Sequence, residues 1–227
     1  MVILNFHGLG PVPRDIEAGE ADCWLDTPHF ESILDRVMED DRILLTFDDG
    51  NASDHGIALP ALLRRGMKAT FFVCSGRVGM PTFLKAGQIR ELDGHGMAIG
   101  SHGVNHRPWR SLDDRLLQEE VAGSREALEK LLGSQVESAA CPFGDYDRRV
   151  LRILKNAGYQ SVFTSDGGGC DPAWWLKPRT TVRRSFTPAH LDRILSAEPR
   201  SARKVIDRLR VIAKANRPRP LARWPGC

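Results

Sequence analysis

Two adjacent carboxylates, Asp48 and Asp49, close the apolar run Ile43-Leu44-Leu45 and are followed directly by Gly50. Like charges at neighbouring positions raise one another's pKa or require a cation. A strand that delivers both at its end, where a glycine frees the backbone, reads as a metal or acid/base site. The plainer reading is a solvated Asp-Asp-Gly turn, because these are turn residues. A second pattern weighs against it. His102 and His106 follow another apolar run, Met97-Ala98-Ile99. Two imidazoles four residues apart can present nitrogens to one ion, and a carboxylate from elsewhere completes a three-ligand site with an open position for water.

Three segments occur in order: Thr46-Phe47-Asp48-Asp49-Gly50, Gly100-Ser101-His102-x-x-x-His106 and Pro142-Phe143-Gly144. With them the chain resembles the polysaccharide deacetylases, which include chitin, peptidoglycan and rhizobial chitooligosaccharide deacetylases, over roughly residues 2–185. The first two segments together are specific; the third is weak alone. The resemblance implies a distorted (β/α)7 barrel of one domain that removes acetyl from an N-acetylated sugar or oligosaccharide. It also implies a divalent metal, zinc foremost with cobalt, nickel or iron as alternatives, held by Asp49, His102 and His106. Asp48 would be the general base, and the backbone N–H of Phe143, after Pro142, would hold the oxyanion.

The chain departs from that family in two places. Two residues before Pro142, where many members carry an arginine that supports the base, stands Ala140. Arg183 or Arg184 is expected to supply the guanidinium instead. The late histidine that serves as general acid in the family has no counterpart near Ile194-Leu195-Ser196. His7, at the end of the first apolar run, is read as the acid or a substrate contact, with a structural histidine as the alternative. Asp166 is expected to orient an imidazole or hold substrate, and Trp174 and Trp175 to pack on a sugar ring, although tryptophans in loops also serve as anchors. Two further readings stay open: a carbohydrate-binding pseudoenzyme on the same fold, and a hydrolase of a non-sugar amide or C–N bond.

Seven short apolar or β-branched runs alternate with helical patterns and must position these groups: 2–6, 43–47, 68–73, 97–101, 138–141, 160–164 and 180–184. Alternation of this kind implies parallel pairing. His7, Asp48, Asp49, His102, Pro142, Phe143 and Asp166 all follow the ends of such runs, where a β/α barrel gathers its chemistry. Thr27-Pro28 and Ser111 with Asp114 read as helix starts. Residues 1–199 are assigned to the barrel, and 200–227 to a helix and a basic, proline-punctuated tail in which Arg208, Arg210 and Lys214 offer contacts to an acidic partner or surface.

At 227 residues with 41% hydrophobic content the chain suits one domain with a substantial core. A net charge of +3 gives no reason to expect nucleic acid as a partner. The start lacks a basic segment and a long apolar run, so a cytoplasmic location without a transmembrane segment is expected. Oligomeric state is not legible. The five scattered cysteines, without a C-x-x-C pair, are read as small buried side chains rather than a disulfide framework.

Overall fold

The computed structural model describes residues 1–16, 19–196 and 213–216. One all-parallel sheet runs through it. Its strands are β1 (Val2–Phe6), β2 (Ile43–Phe47), β3 (Ala69–Val73), β4 (Ala98–Ser101), β5 (Ser138–Ala140), β6 (Ser161–Thr164), β7 (Leu176–Pro178) and β8 (Thr180–Thr181). They lie in the order β7-β6-β5-β4-β3-β2-β1-β8. Since β7 pairs with β6 and β8 pairs with β1, the single segment 176–181 bridges the two edges and closes the sheet into a seven-membered ring. Arg179 stands between the two halves. Its N–H donates to the Thr164 carbonyl at 3.1 Å, and Val182 N–H donates to the Asn5 carbonyl at 2.8 Å, so the neighbours change across this residue. The β4–β5 pairing is thin, a single register match of Ser101 with Ala139, which distorts the ring on that side.

The expected strands at 2–6 and 43–47 match in full, and the next four match within a residue or so at their ends. The seventh, expected at 180–184, lies further upstream. Lys177, Pro178 and Arg179 hide it: a proline has no N–H for a ladder, and two cations do not look like a barrel interior.

Helices α1 (Thr27–Val37), α2 (Leu59–Arg64), α3 (Ala86–Gly94), α4 (Asp114–Gln118), α5 (Ser124–Leu132), α6 (Arg148–Asn156) and α7 (Pro188–Ser196) surround the ring. A π-helical turn, Glu119–Gly123, joins α4 to α5, so the two run on as one long helical stretch with a widened middle. Its cap is Asp113, which accepts from Leu116 N–H, whereas Ser111 donates to the Pro108 carbonyl. Likewise Asp26 caps α1 by accepting from His29 N–H, one residue before the expected Thr27. At the start of α7 the Thr187 hydroxyl lies 2.9 Å from His190 Nδ1. The helix and tail expected at 200–227 fall outside the described residues apart from 213–216.

Alternation along the strands divides the core. Leu4, Phe6, Leu45, Phe47, Phe71 and Val73 face the helices in one large buried cluster. A smaller set, Ile3, Phe72, Ala140, Phe163 and Cys170, fills the ring. Gly100 belongs to this interior: a Cβ there would lie 2.4 Å from the Phe72 ring, so only glycine lets that ring span the barrel. Cys23, Cys74, Cys141 and Cys170 are all buried, as expected, and none forms a disulfide among the described residues.

Candidate active site

Asp48 and Asp49 sit immediately after β2. On a regular strand neighbouring side chains point to opposite faces. Here Asp49 (φ 78°) and Gly50 (φ 71°) both adopt left-handed backbone, which turns the two carboxylates toward one point. His102 Nε2 lies 3.8 Å from Asp48 Oδ2 and 3.6 Å from Asp49 Oδ1. His106 Nε2 lies 3.2 Å from the same Asp49 oxygen. His106 (φ 52°) and Phe143 (φ 57°) share the left-handed region, so three of the four non-glycine residues that adopt it among those described belong to this site. Strain of this kind persists where surrounding structure over-determines it.

Ligand atoms of Asp49, His102 and His106 all lie within 4.8 Å of one another. A tetrahedral ion at roughly 2.0–2.2 Å from its ligands spaces them about 3.4 Å apart, close to the 3.2 and 3.6 Å observed. Asp49 Oδ1 is buried and has no hydrogen-bond partner. His102 Nδ1 lies 2.9 Å from the Ala140 carbonyl, to which it can only donate, leaving the lone pair on Nε2 facing the carboxylates. Burial lowers the His102 pKa to about 4, which keeps the ring neutral. The residues present therefore fit one divalent ion.

Asp48 is gripped from the opposite side. Arg179 donates from Nη1 to Oδ1 at 2.7 Å and from Nη2 to Oδ2 at 2.8 Å. Asn5 Nδ2 donates to Oδ2 at 2.9 Å. The guanidinium is fully buried; it also donates to Asn5 Oδ1, Thr46 Oγ1 and the Thr164 carbonyl, and lies 5.2 Å over the Phe72 ring. Burial by itself would raise the Asp48 pKa, but the Arg179 charge and hydrogen bonds overcome it and hold the carboxyl well below its usual range. Asp54 is also fully buried, and burial with the nearby Asp49 and Asp48 charges pushes its pKa well up against a backbone hydrogen bond at Asn51.

The guanidinium missing at position 140 thus comes from Arg179 and not from Arg183 or Arg184. Those two lie past the ring, exposed, with Arg183 3.9 Å from Asp22 and the Arg184 N–H on the Asp22 carbonyl. The expected strand at 180–184 placed them at the rim; the true strand ends sooner. Trp174 and Trp175 are likewise elsewhere. They precede β7, so they lie at the opposite end of the barrel, where Trp174 packs against the inner cluster and Trp175 Nε1 donates to the Tyr159 carbonyl. Asp166 does lie at the site end of β6, but its partners are Tyr146, Thr164 and Lys214 rather than a histidine. Lys214, grouped with the basic tail in the sequence, folds back onto this rim.

His7 follows β1, and its Nδ1 is buried with no hydrogen-bond partner among the described residues. Pro142 is buried at the corner after β5, and Phe143 projects from that corner, 58% exposed, with its ring 4.4 Å from His106.

The polysaccharide deacetylase family model matches residues 35–162, more than half of the chain, and spans both the aspartates and the histidines. The chain belongs to the polysaccharide deacetylase family. It is 30% identical over 147 residues to a chitooligosaccharide deacetylase of Rhizobium leguminosarum bv. trifolii, covering 64% of this chain and 65% of that one. It is also 30% identical over 145 residues to YxkH of Bacillus subtilis (strain 168), covering 63% of this chain and 52% of that protein. The chain thus spans about half to two-thirds of the length of these relatives. The solved structure of the Streptococcus pyogenes deacetylase PplD in complex with acetate superposes with a TM-score of 0.76 over 86% of this chain and 98% of that one. At 22% identity that likeness shows the barrel fold that this family member shares.

Asn5 and Arg179 escaped the sequence reading. Asn5, on β1, sits inside the apolar run Ile3-Leu4-Asn5-Phe6, and that is the signal that could have found it; Arg179, between β7 and β8, carries none.

Proposed function

We propose that this protein is a metal-dependent hydrolase that removes acetyl from an N-acetylated sugar or oligosaccharide, with Asp49, His102 and His106 as ligands and Asp48 as general base. The observation that carries the proposal is the division of labour between adjacent aspartates. Asp49 leaves a buried oxygen bare beside two imidazoles, while Asp48 is held as a carboxylate by Arg179. A bound divalent metal supplies Lewis acidity to the acetyl carbonyl and to an attacking water.

The chain's own groups do the rest. Asp48, 3.8 Å from His102 Nε2, takes the proton of the attacking water. The Phe143 backbone N–H, aimed by its left-handed conformation, donates to the developing oxyanion. His7, directly after β1, delivers a proton to the amine leaving group. Phe143 and Pro142 border the position of the acetyl group.

Zinc is the proposed metal, because two imidazoles and one carboxylate form a donor set that suits it. A cytoplasmic location is part of the proposal, and four buried cysteines without a disulfide suit a reducing compartment. No described helix is long and apolar enough to cross a membrane. The division of the chain near residue 199 is proposed on composition, with Lys214 tying the later part to Asp166. The decisive experiment incubates the metal-loaded protein with a panel of N-acetylated oligosaccharides and other acetamides and measures released acetate. Release from the sugars that disappears in Asp48→Asn supports the proposal. Binding without release by the metal-loaded protein would establish a pseudoenzyme instead.

A further inference from the structure

The turn that carries both histidines, residues 102–106, is held by a set of hydrogen bonds in which one side chain, Glu120, takes two adjacent backbone N–H groups. The His102 carbonyl takes the Cys74 thiol, and the Gly103 and Val104 carbonyls take the N–H groups of Ser75 and Gly76 at 3.0 and 2.9 Å. On the donor side, Gly103 N–H goes to Ser101 Oγ. Three further donors converge on Glu120. Val104 N–H donates to Oε2 at 2.9 Å, Asn105 N–H donates to Oε2 at 3.0 Å and Oε1 at 3.2 Å, and Asn105 Nδ2 donates to Oε1 at 3.1 Å.

Glu120 is 3% exposed and comes from the π-helical turn between α4 and α5. It shares the buried face of this helical stretch with Leu117, Val121, Ser124 and Leu128, whereas Glu119 and Glu126 remain outside. Ser124, four residues on, accepts from Ser101 Oγ, so a second side chain of the same helix braces the approach to the turn. Gly103 (φ 78°) fits under the carboxylate because a Cβ there would come within 2.8 Å of Oε2.

We infer that Glu120 is a positioning residue of the metal site: its carboxylate fixes the 102–106 turn in the strained form, with Gly103 and His106 both left-handed, in which the two imidazoles face one ion. The inference rests on the proposed ligand set. Without this carboxylate two adjacent N–H groups lose their acceptor, and the turn relaxes toward forms in which His106 no longer faces Asp49.

Glu120→Gln tests it with little change of volume. Whichever oxygen becomes an amide then opposes an N–H donor, so the clamp cannot be rebuilt. The readouts are the zinc dissociation constant, from competition with a chelating dye, and the visible spectrum of the cobalt-loaded protein, alongside thermal unfolding of the metal-free form. The expected result is zinc affinity lower by about 10- to 100-fold with a changed cobalt spectrum. Should Glu120→Gln not fold, Glu120→Asp is read in its place, since a carboxylate one methylene shorter loses part of the clamp and gives the same direction of change. A merely structural Glu120 would lower the unfolding temperature and leave zinc affinity within about threefold and the cobalt spectrum unaltered; that result overturns the inference. If the unaltered protein itself binds no metal, or His102→Ala does not weaken binding, it is the ligand assignment that fails.

Discussion

Replacing Arg179 by Met removes the buried guanidinium while keeping an apolar stem over Phe72. What it leaves behind is a carboxylate, Asp48, at 2% exposure with only Asn5 Nδ2 still donating to it. Breaking a buried ion pair from one side costs about 3–5 kcal/mol, a large share of the roughly 5–15 kcal/mol that holds a domain together. The sign with pH follows from the same residues. In the unaltered protein Asp48 has a folded pKa below its unfolded value, so its contribution is present above about pH 4 and is lost only at lower pH. Without Arg179 the burial effect prevails, the folded pKa rises above the unfolded one, and stability contributed by this group falls as pH rises from about 4 to 7. The penalty of Arg179→Met should therefore be near its full size at pH 7 and smaller at pH 4. Denaturant unfolding of the metal-free proteins measures both. Adding Asp48→Asn removes the stranded charge, and the double variant should regain on the order of 2 kcal/mol over Arg179→Met alone. A penalty below about 1 kcal/mol at pH 7, or a double variant no more stable than the single one, would refute this account of Arg179.

Three further outcomes are expected. His102→Ala combined with His106→Ala should abolish divalent-metal binding measured by equilibrium dialysis, against about one equivalent in the unaltered chain. Asp48→Asn should keep its metal and lose on the order of 10²-fold or more in turnover, read as acetate release under saturating substrate. Asp54, buried near the Asp49 and Asp48 charges, has a folded pKa well above its unfolded value, so folding loses stability as pH rises through that interval. Asp54→Asn should accordingly gain on the unaltered metal-free protein between pH 4 and pH 7, by at most about 1.4 kcal/mol per unit, and a stability difference that stays flat across that range would show that Asp54 is ionised in the fold.

The sequence made the chemistry at strand ends legible because two things coincided there: apolar runs that announce strands, and polar residues that such runs do not otherwise tolerate. Asp48, Asp49, His102 and His106 met both conditions, and the structure brings all four to one point. Arg179 met neither. It lies between β7 and β8 in the six-residue segment 176–181, which contains a proline and two cations, and local propensity argues against a strand there. Such a strand forms because tertiary context supplies what propensity withholds: open ladder edges of β6 and β1, and a buried carboxylate waiting for a cation. Glu120 was passed over for a different reason: α-helical spacing sets it on the buried stripe beside Leu117 and Val121, where an acid registers only as a break in the apolar pattern.

The exchange between positions 140 and 179 has a physical logic of its own. A barrel interior has a fixed volume, and here Phe72 and Phe163 floor the space in which a guanidinium must sit. A long side chain entering from position 140 would contend with the Phe72 ring, which Gly100 lets reach across the barrel. With Ala140 short, its carbonyl is left to receive the His102 Nδ1–H, and the interior above the phenyl rings is free for a guanidinium from the closing strand. The same side chain then ties Asn5 on β1, Asp48 after β2 and Thr164 on β6 across the closure. The requirement met is a cation beside Asp48, not an arginine at a given place in the chain. Any strand whose inward side chain can reach that carboxylate can satisfy it, which explains how the local segment around Pro142 can lack the arginine while the base it would support remains ionised.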